Sequence, residues 1–500
     1  MSTATSIVSS GSDRLDAWTR RNQPKIEIHV DGQKPGLVNS YTTGESIDGS
    51  VTVTVDHETR FDEIKIEFEG VSTTTVERTS CPGRTGSQQM FLKLRQPIDE
   101  MEYPTPRVLE SGRSYVYRFT FVIPDRLLPQ ACTHAEKHAH IQRAHTLLPP
   151  TLGDPILASN GKTLLDDMAP SMSQIGYTVR ASVLQKQLAG SGVVAIAGIA
   201  KKVRIIPVVE EEPPVETSAS SSYCTRKEKS VKRGTLRGKL GRIVASSSQP
   251  KPIQLLPPDG EPTDTVSTVA AVNLRFDPVG DEQPPPLGAM TSKLRANTFF
   301  SATPWDDFPS TTGIPFSRIG CGLYTECVPL LTMCVASAQW TKHSTAADYM
   351  RRDSTDSSSS DSSTGPSSAF TGDIYYTASI VVPITLPKSK AFIPTFHSCL
   401  MSRTYALDLS LTYHTPAANL MTPTISLRLP VQFTSQATRA EPIKTALDVT
   451  VTQQELDEFF QPRNVTSPTG FSNHTRSDVV NVGFAPPEYS ERVSTPRAGP

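Results

Sequence analysis

The sequence predicts an all-β protein, two β-sandwiches in tandem with a disordered N-terminus, a Ser-rich loop and a disordered C-terminal tail. Three observations predict it. Apolar and polar residues alternate at period two in one segment after another, as in sheets with one buried face. Helical periodicity of any length is missing from the first part of the chain. Composition also swings: with 42 prolines and 37% hydrophobic residues, a good part of the 500 residues lies outside any core.

Residues 1–23 lack a periodic pattern and form the N-terminal arm. Ile26, Ile28 and Val30 then alternate, followed by Val51, Val53 and Val55 after a turn bracketed by Gly44 and Gly49, and by Ile64, Ile66 and Phe68. Tyr115, Tyr117, Phe119, Phe121 and Ile123 make a longer stripe, and Ile175, Tyr177, Val179, Ala181 and Val183 another. These strands define a first sandwich over 24–210. Three Glu, two Pro and a Ser-rich stretch mark a linker at 211–234.

Alternation resumes at Val272, Leu274 and Phe276, returns at Ile380, Val382, Ile384 and Leu386, and is clearest at Leu407, Leu409, Leu411 and Tyr413. Leu427, Leu429, Val431 and Phe433 supply the last strand, so a second sandwich spans 235–435. A loop at about 351–369 interrupts it: nine of the fifteen residues from Ser354 to Ser368 are Ser, a composition that cannot build a core. In the tail, 436–500, Thr452 and Glu455 form a capping box for one short helix with Leu456, Phe459 and Phe460 on one side.

Charge and cysteine use exclude several classes. Lys+Arg 49 against Asp+Glu 50 leaves a net charge of -1, which argues against a nucleic-acid binder. Seven Cys without regular spacing fit a reducing compartment rather than a disulfide scaffold. No basic n-region or apolar h-region opens the chain, and the longest apolar run, Val193 to Ala200, is far short of the ~20 residues of a membrane span. These features predict a soluble intracellular protein.

The chemistry-bearing candidates are few. Cys132, His134, His138, His140 and His145 are donors that zinc favours, but without paired spacing or a second half nearby they read as loop residues, and no metal site is assigned. Cys321, Cys327 and Cys334 are too evenly spread and read as ordinary thiols. Phosphate-loop, dinucleotide, nucleophile-elbow and zincin signatures are missing, so no catalytic residue and no cofactor is assigned. From Arg226 to Arg242, eight Lys and Arg face one acid, Glu228; Lys232, Arg233, Arg237 and Lys239 are the candidate contacts to an anionic membrane. Ser354, Ser357, Ser358, Ser359, Ser360, Ser362 and Ser363, interspersed with Asp356 and Asp361, suit acid-directed kinases. Pro486-Pro487-Glu488-Tyr489 combines a pre-formed polyproline II turn with a Tyr anchor, the form that WW domains bind.

The order of these pieces resembles the fungal arrestin-like family, the arrestin-related trafficking adaptors. The run from Ser40 to Val51, with its Tyr, Gly-Glu turn and Gly-x-Val, is similar to that family's N-terminal domain signature, and Tyr117 to His134 to the strand and Leu-Pro loop that follow. Leu236 to Arg242 and Pro394 to Leu409 resemble its C-terminal domain, and Pro486, Pro487 and Tyr489 match its ligase-recruiting motif. The other proline clusters, such as Pro149-Pro150 and Pro284-Pro285-Pro286, lack the Tyr. The resemblance implies two arrestin-type sandwiches. It also implies a non-catalytic adaptor that binds cytosolic segments of membrane transporters or receptors. Its tail recruits a HECT-type ubiquitin ligase through WW domains, so that ubiquitination leads to endocytosis. Such an adaptor is cytoplasmic and is recruited peripherally to the plasma membrane or endosomes. The alternative is an arrestin-like scaffold relaying a receptor signal, such as ambient pH. No residue is assigned to the buried charged switch of animal visual arrestins.

Overall fold

Branched and aromatic side chains at alternate positions leave the backbone little choice but extended strands, and strands need neighbours to pair their amides. In the computed structural model, residues 23–436 are described, apart from 78–83, 136–137, 188–191, 216, 218–221, 234–237, 258–265, 312–319, 346–363 and 417–421. The architecture is largely all-β and contains several sheets. The helical elements described in full are Ala139–His145 and short 3-10 turns.

In the first half, Lys25–Val30, Ser46–Thr54 and Ser114–Val122 form a three-stranded antiparallel sheet. Its register lines up Ile26, Val53 and Tyr115 in one row and Ile28, Val51 and Tyr117 in the next. A five-stranded sheet contains, in order, Ser40–Tyr41, Val193–Ile205, Ser173–Lys186, Glu63–Glu77 and Arg84–Gln96. Phe68 of this sheet lies 5.8 Å, ring to ring, from Phe121 of the other and 5.9 Å from Tyr177. Both sheets thus feed one buried cluster.

The second half repeats the arrangement with different strands. Arg226–Lys232, Lys239–Ser246, Ser267–Pro278, Ile374–Thr385 and Thr341–Ser344 form one sheet. Cys321–Cys334, Leu287–Ser301, Met401–Tyr413 and Phe396–His397 form the other, with Thr424–Val431 also paired to Met401–Tyr413. Leu294, Leu407 and Leu429 sit in register across three strands of it, each with no exposed surface. They join Ile243, Leu274 and Phe276 of the first sheet in a second large cluster.

Every alternating segment in the sequence lies on a strand. Four strands without that signal are Arg84–Gln96, Val193–Ile205, Leu287–Ser301 and Cys321–Cys334. The first two and the last are largely solvent-facing, so burial does not pattern their sequence. The linker expected at 211–234 is shorter than its composition suggests, because the strand Arg226–Lys232 begins inside it. Lys side chains point outward there while the backbone completes a sheet edge. The expected N-terminal arm, tail helix and most of the Ser-rich loop lie outside the described residues.

Several glycines stand where an aromatic ring packs close to the backbone, Gly49 and Gly241 among them. A Cβ at Gly49 would stand 2.2 Å from the His29 carbonyl oxygen and 2.6 Å from the Phe119 ring. At Gly241 it would meet the Asp277 carbonyl oxygen at 2.4 Å and the Phe276 ring at 2.6 Å. Gly49→Ala is therefore expected to cost about 1–3 kcal/mol in urea denaturation. Gly176→Ala, where a Cβ meets nothing within 4 Å, should change stability by less than about 0.5 kcal/mol. Equal effects at the two sites would contradict the packing described.

Candidate functional site

The two clusters meet along a polar seam. Met401 opens the strand Met401–Tyr413 inside the first cluster, while Tyr405 and Leu407 further along belong to the second. Met168, from the loop before Ser173–Lys186, crosses the other way and packs into the second cluster. The Thr74 hydroxyl donates to the Ser301 carbonyl at 2.7 Å, a buried bond between the halves.

Arg403 is the largest fully buried side chain of the described residues. Its guanidinium donates to the Asp167 carbonyl at 3.1 Å and the Met168 carbonyl at 3.0 Å. The Asp167 carboxylate accepts from the Gly153 amide at 2.6 Å and the Ala169 amide at 3.1 Å. Burial raises the Asp167 pKa above the ordinary carboxylate value, opposed by the Gly153 amide and the Arg403 charge. Arg204 reaches Asn160 at 2.9 Å, and burial pushes its pKa down to about 10 against the pull of Asp167.

A second set of charges continues the seam. Lys390 donates to Asp166 at 2.5 Å and to Glu326 at 2.6 Å, and Tyr324 donates to Glu326 at 2.8 Å. The Lys390 pKa is raised, by its bond to Asp166 first and to Glu326 second. Burial alone would raise the Asp166 pKa, but Lys390 and the Met168 amide hold it below the usual value. Three acids, Asp166, Asp167 and Glu326, thus face three bases, Arg204, Lys390 and Arg403. Such a balanced set holds surfaces together in one arrangement; it contains no activated nucleophile.

Beside this seam lies a thiol–imidazole cluster. The strand Ser114–Val122 leads into a 3-10 segment, Pro129–Ala135, and then the helix Ala139–His145. Cys132, inside that segment, departs from helical geometry at φ -135 and ψ 67. The Cys132 Sγ lies 3.6 Å from both His134 Nε2 and His145 Nδ1, and these two nitrogens are 3.2 Å apart. The fourth member is Cys399, from the turn before Met401–Tyr413; all four donor atoms lie within 4.8 Å of one another. Burial raises the pKa of both thiols, that of Cys399 to about 12. Buried, electroneutral thiols are the opposite of an activated nucleophile.

The structure therefore unites Cys132, His134 and His145 but leaves His138 and His140 exposed on its rim. Cys321, Cys327 and Cys334 stay apart from the cluster, on another strand. Cys399, Asp167 and Arg403 were not singled out by motif spacing. For Arg403 a signal existed: it shares inward parity with Tyr405, Leu407 and Leu409, where a charge is out of place.

The basic run forms two adjacent strands. Lys232 and Lys239 are exposed and sit opposite each other in register. Part of the charge is spent internally, since Arg233 pairs with Glu282 and Arg242 with Glu228. Lys229 donates to the Thr424 carbonyl at 2.7 Å and Arg226 to the Pro366 carbonyl at 2.8 Å. The free positive surface is thus smaller than the composition of the run suggests. Arg237, the Ser tract Ser354–Ser363, and Pro486, Pro487 and Tyr489 lie outside the described residues.

Comparison with known proteins finds a partial similarity. Over 252 residues the chain is 26% identical to Bypass of stop codon protein 5 of Saccharomyces cerevisiae, covering 40% of this chain and 49% of that protein. The chain spans about half the length of the curated relative it matches. No family model matches the chain. No helix among the described residues is long and apolar enough to cross a membrane.

The seam makes a direct prediction. Arg403→Met keeps most of the volume but strands the Asp167 and Met168 carbonyls and the Asp167 charge in a dry interface. It should lower the unfolding free energy by about 3–5 kcal/mol. A loss below about 1 kcal/mol in urea denaturation would show that Arg403 does not hold the halves together.

Proposed function

We propose that this protein is a non-catalytic adaptor that brings a WW-domain HECT-type ubiquitin ligase to membrane transporters or receptors, so that ubiquitination sends them into endocytosis. The observation that carries the reading is Pro486-Pro487-Glu488-Tyr489, on a chain segment C-terminal to a largely all-β body. Support comes from the arrangement of that body. Two buried clusters are each fed by two sheets, as expected of two arrestin-type sandwiches in tandem over 24–210 and 235–435. The ordered resemblance to the arrestin-like family and the partial similarity to the yeast protein point the same way.

The mechanism needs two contacts. The all-β body holds the cytosolic segment of the cargo, and the tail holds the ligase. Pro486 and Pro487 enter the WW groove nearly pre-ordered and Tyr489 fills the adjoining pocket, so little backbone entropy is lost. A contact this short is weak, about 1–100 μM in dissociation constant. Simultaneous cargo binding makes the second contact nearly intramolecular, which is what renders a weak motif effective. Lys232 and Lys239 favour residence at an anionic leaflet, because two like charges facing each other across strands repel until an anion screens them. Phosphorylation of Ser354–Ser363 would add about −1.5 to −2 charge per site and oppose that residence.

Two measurements check these statements. Tyr489→Ala should weaken capture of a WW-domain HECT ligase at least tenfold and abolish cargo ubiquitination while leaving the unfolding curve unchanged. Retained ligase capture and normal cargo turnover would remove the mechanism. In co-sedimentation with phosphatidylserine vesicles, neutralising Lys232 and Lys239 should weaken binding by about fivefold per charge. Unchanged sedimentation would contradict the membrane role of this face.

A further inference from the structure

We infer that Cys132, His134, His145 and Cys399 bind one zinc ion, which clamps the first half of the chain to the second. The donor set is that of a closed zinc site, three of its six separations fit tetrahedral coordination, and Cys399 Sγ lies within 4.8 Å of the other three donors. With Zn–S near 2.3 Å and Zn–N near 2.0–2.1 Å, tetrahedral ligands stand apart by roughly 3.5 Å for sulfur to nitrogen and roughly 3.3 Å for nitrogen to nitrogen. The corresponding separations here are 3.6 Å for Cys132 Sγ to His134 Nε2 and to His145 Nδ1, and 3.2 Å between the two nitrogens. Two thiolates and two neutral imidazoles around a divalent cation leave no net charge, which suits a buried position. Two sulfurs with two nitrogens in this shape favour zinc among the common metals.

The surroundings hold the donors in place. Gln142 donates to the Cys132 carbonyl at 3.3 Å, fixing the 3-10 segment against the helix that carries His145. The His134 ring also donates to the Trp305 carbonyl, which leaves one nitrogen free as a ligand. Cys399 sits in a turn closed by Ser398, whose amide and hydroxyl each donate to the Met401 carbonyl at 2.8 Å. The Trp305 amide in turn donates to the Cys399 carbonyl at 2.9 Å. Ala135 and Ile141 pack with Cys132 and Cys399 in one buried cluster. A cluster without metal would ask two thiols, weak donors and weak acceptors, to satisfy the buried His145 imidazole.

The chain connectivity gives the site its consequence. Three ligands follow the strand Ser114–Val122 of the first half, and Cys399 precedes the central strand Met401–Tyr413 of the second. Metal binding releases the two thiol protons to solvent and adds four bonds across the seam that Arg403 also crosses. A metal that binds only the assembled halves stabilises their assembly by mass action.

The test uses the full chain, purified under reducing conditions. Mass-spectrometric metal analysis should find about one equivalent of zinc per chain. Replacement by Co2+ should give the intense visible bands of a tetrahedral site together with a thiolate charge-transfer band. Cys132→Ser with Cys399→Ser should abolish both signals. His134→Gln, at the partly exposed edge, should keep the fold by circular dichroism and weaken Co2+ binding at least tenfold. His138→Gln should leave it unchanged. Folded, reduced protein with less than about a tenth of an equivalent of zinc and no cobalt spectrum would overturn the inference. So would a Cys132–Cys399 disulfide in the metal-free protein as isolated from reducing cells.

Discussion

A buried guanidinium sets the terms for this molecule. Arg403 lies where the two hydrophobic clusters meet, with no exposed surface and its donors on the Asp167 and Met168 carbonyls. A charge in that position is tolerated only if the surrounding loop is held to match it. The loop is so held: Gly153 and Ala169 fix the Asp167 carboxylate, and Asp166 fixes the Met168 amide at 2.7 Å. Met168 then adopts the left-handed region at φ 58 and inserts its side chain into the second cluster. The relative placement of the halves is therefore specified by directional bonds as well as by apolar burial. Hydrophobic contact alone would permit sliding; a guanidinium aimed at two carbonyls does not.

The strands that pack against a core were legible because burial imposes parity. Ile26, Val53 and Tyr115 alternate in sequence for the same reason that they share a row in the sheet. Val193–Ile205 shows the limit of that rule. Most of its side chains are exposed, and its sequence of small and branched apolar residues marks no inward face. The basic run was legible as charge but not as structure. Its lysines line the outer surface of a sheet edge, and Glu228, inside the run, and Glu282, far along the chain, neutralise part of it.

The seam was the least legible part. Cys132 and Cys399 belong to different halves, so no local spacing rule can pair them. Spacing within the 132–145 stretch does not separate Cys132, His134 and His145, which come together, from His138 and His140, which are exposed, and the fourth member of the cluster comes from the turn before Met401. Arg403 and Asp167 likewise come from different halves of the chain. Parity at Arg403 was the single local hint, a charged residue in line with Tyr405 and Leu407. Long-range polar contacts of this kind follow from topology, which a one-dimensional pattern does not contain.

Two hydrophobic clusters joined by buried polar bonds would suit the proposed adaptor, which holds one partner while a separate segment of the chain holds another. Buried bonds join the two halves, and Pro486-Pro487-Glu488-Tyr489 follows the body along the chain. The most direct test of the adaptor reading is to map ubiquitin-remnant peptides across the membrane proteome in cells with and without this protein. The account predicts that its loss removes remnants from the cytosolic segments of one or a few transporters or receptors. Remnants that change only on this chain itself, with membrane proteins unaffected, would contradict it and favour a signalling scaffold.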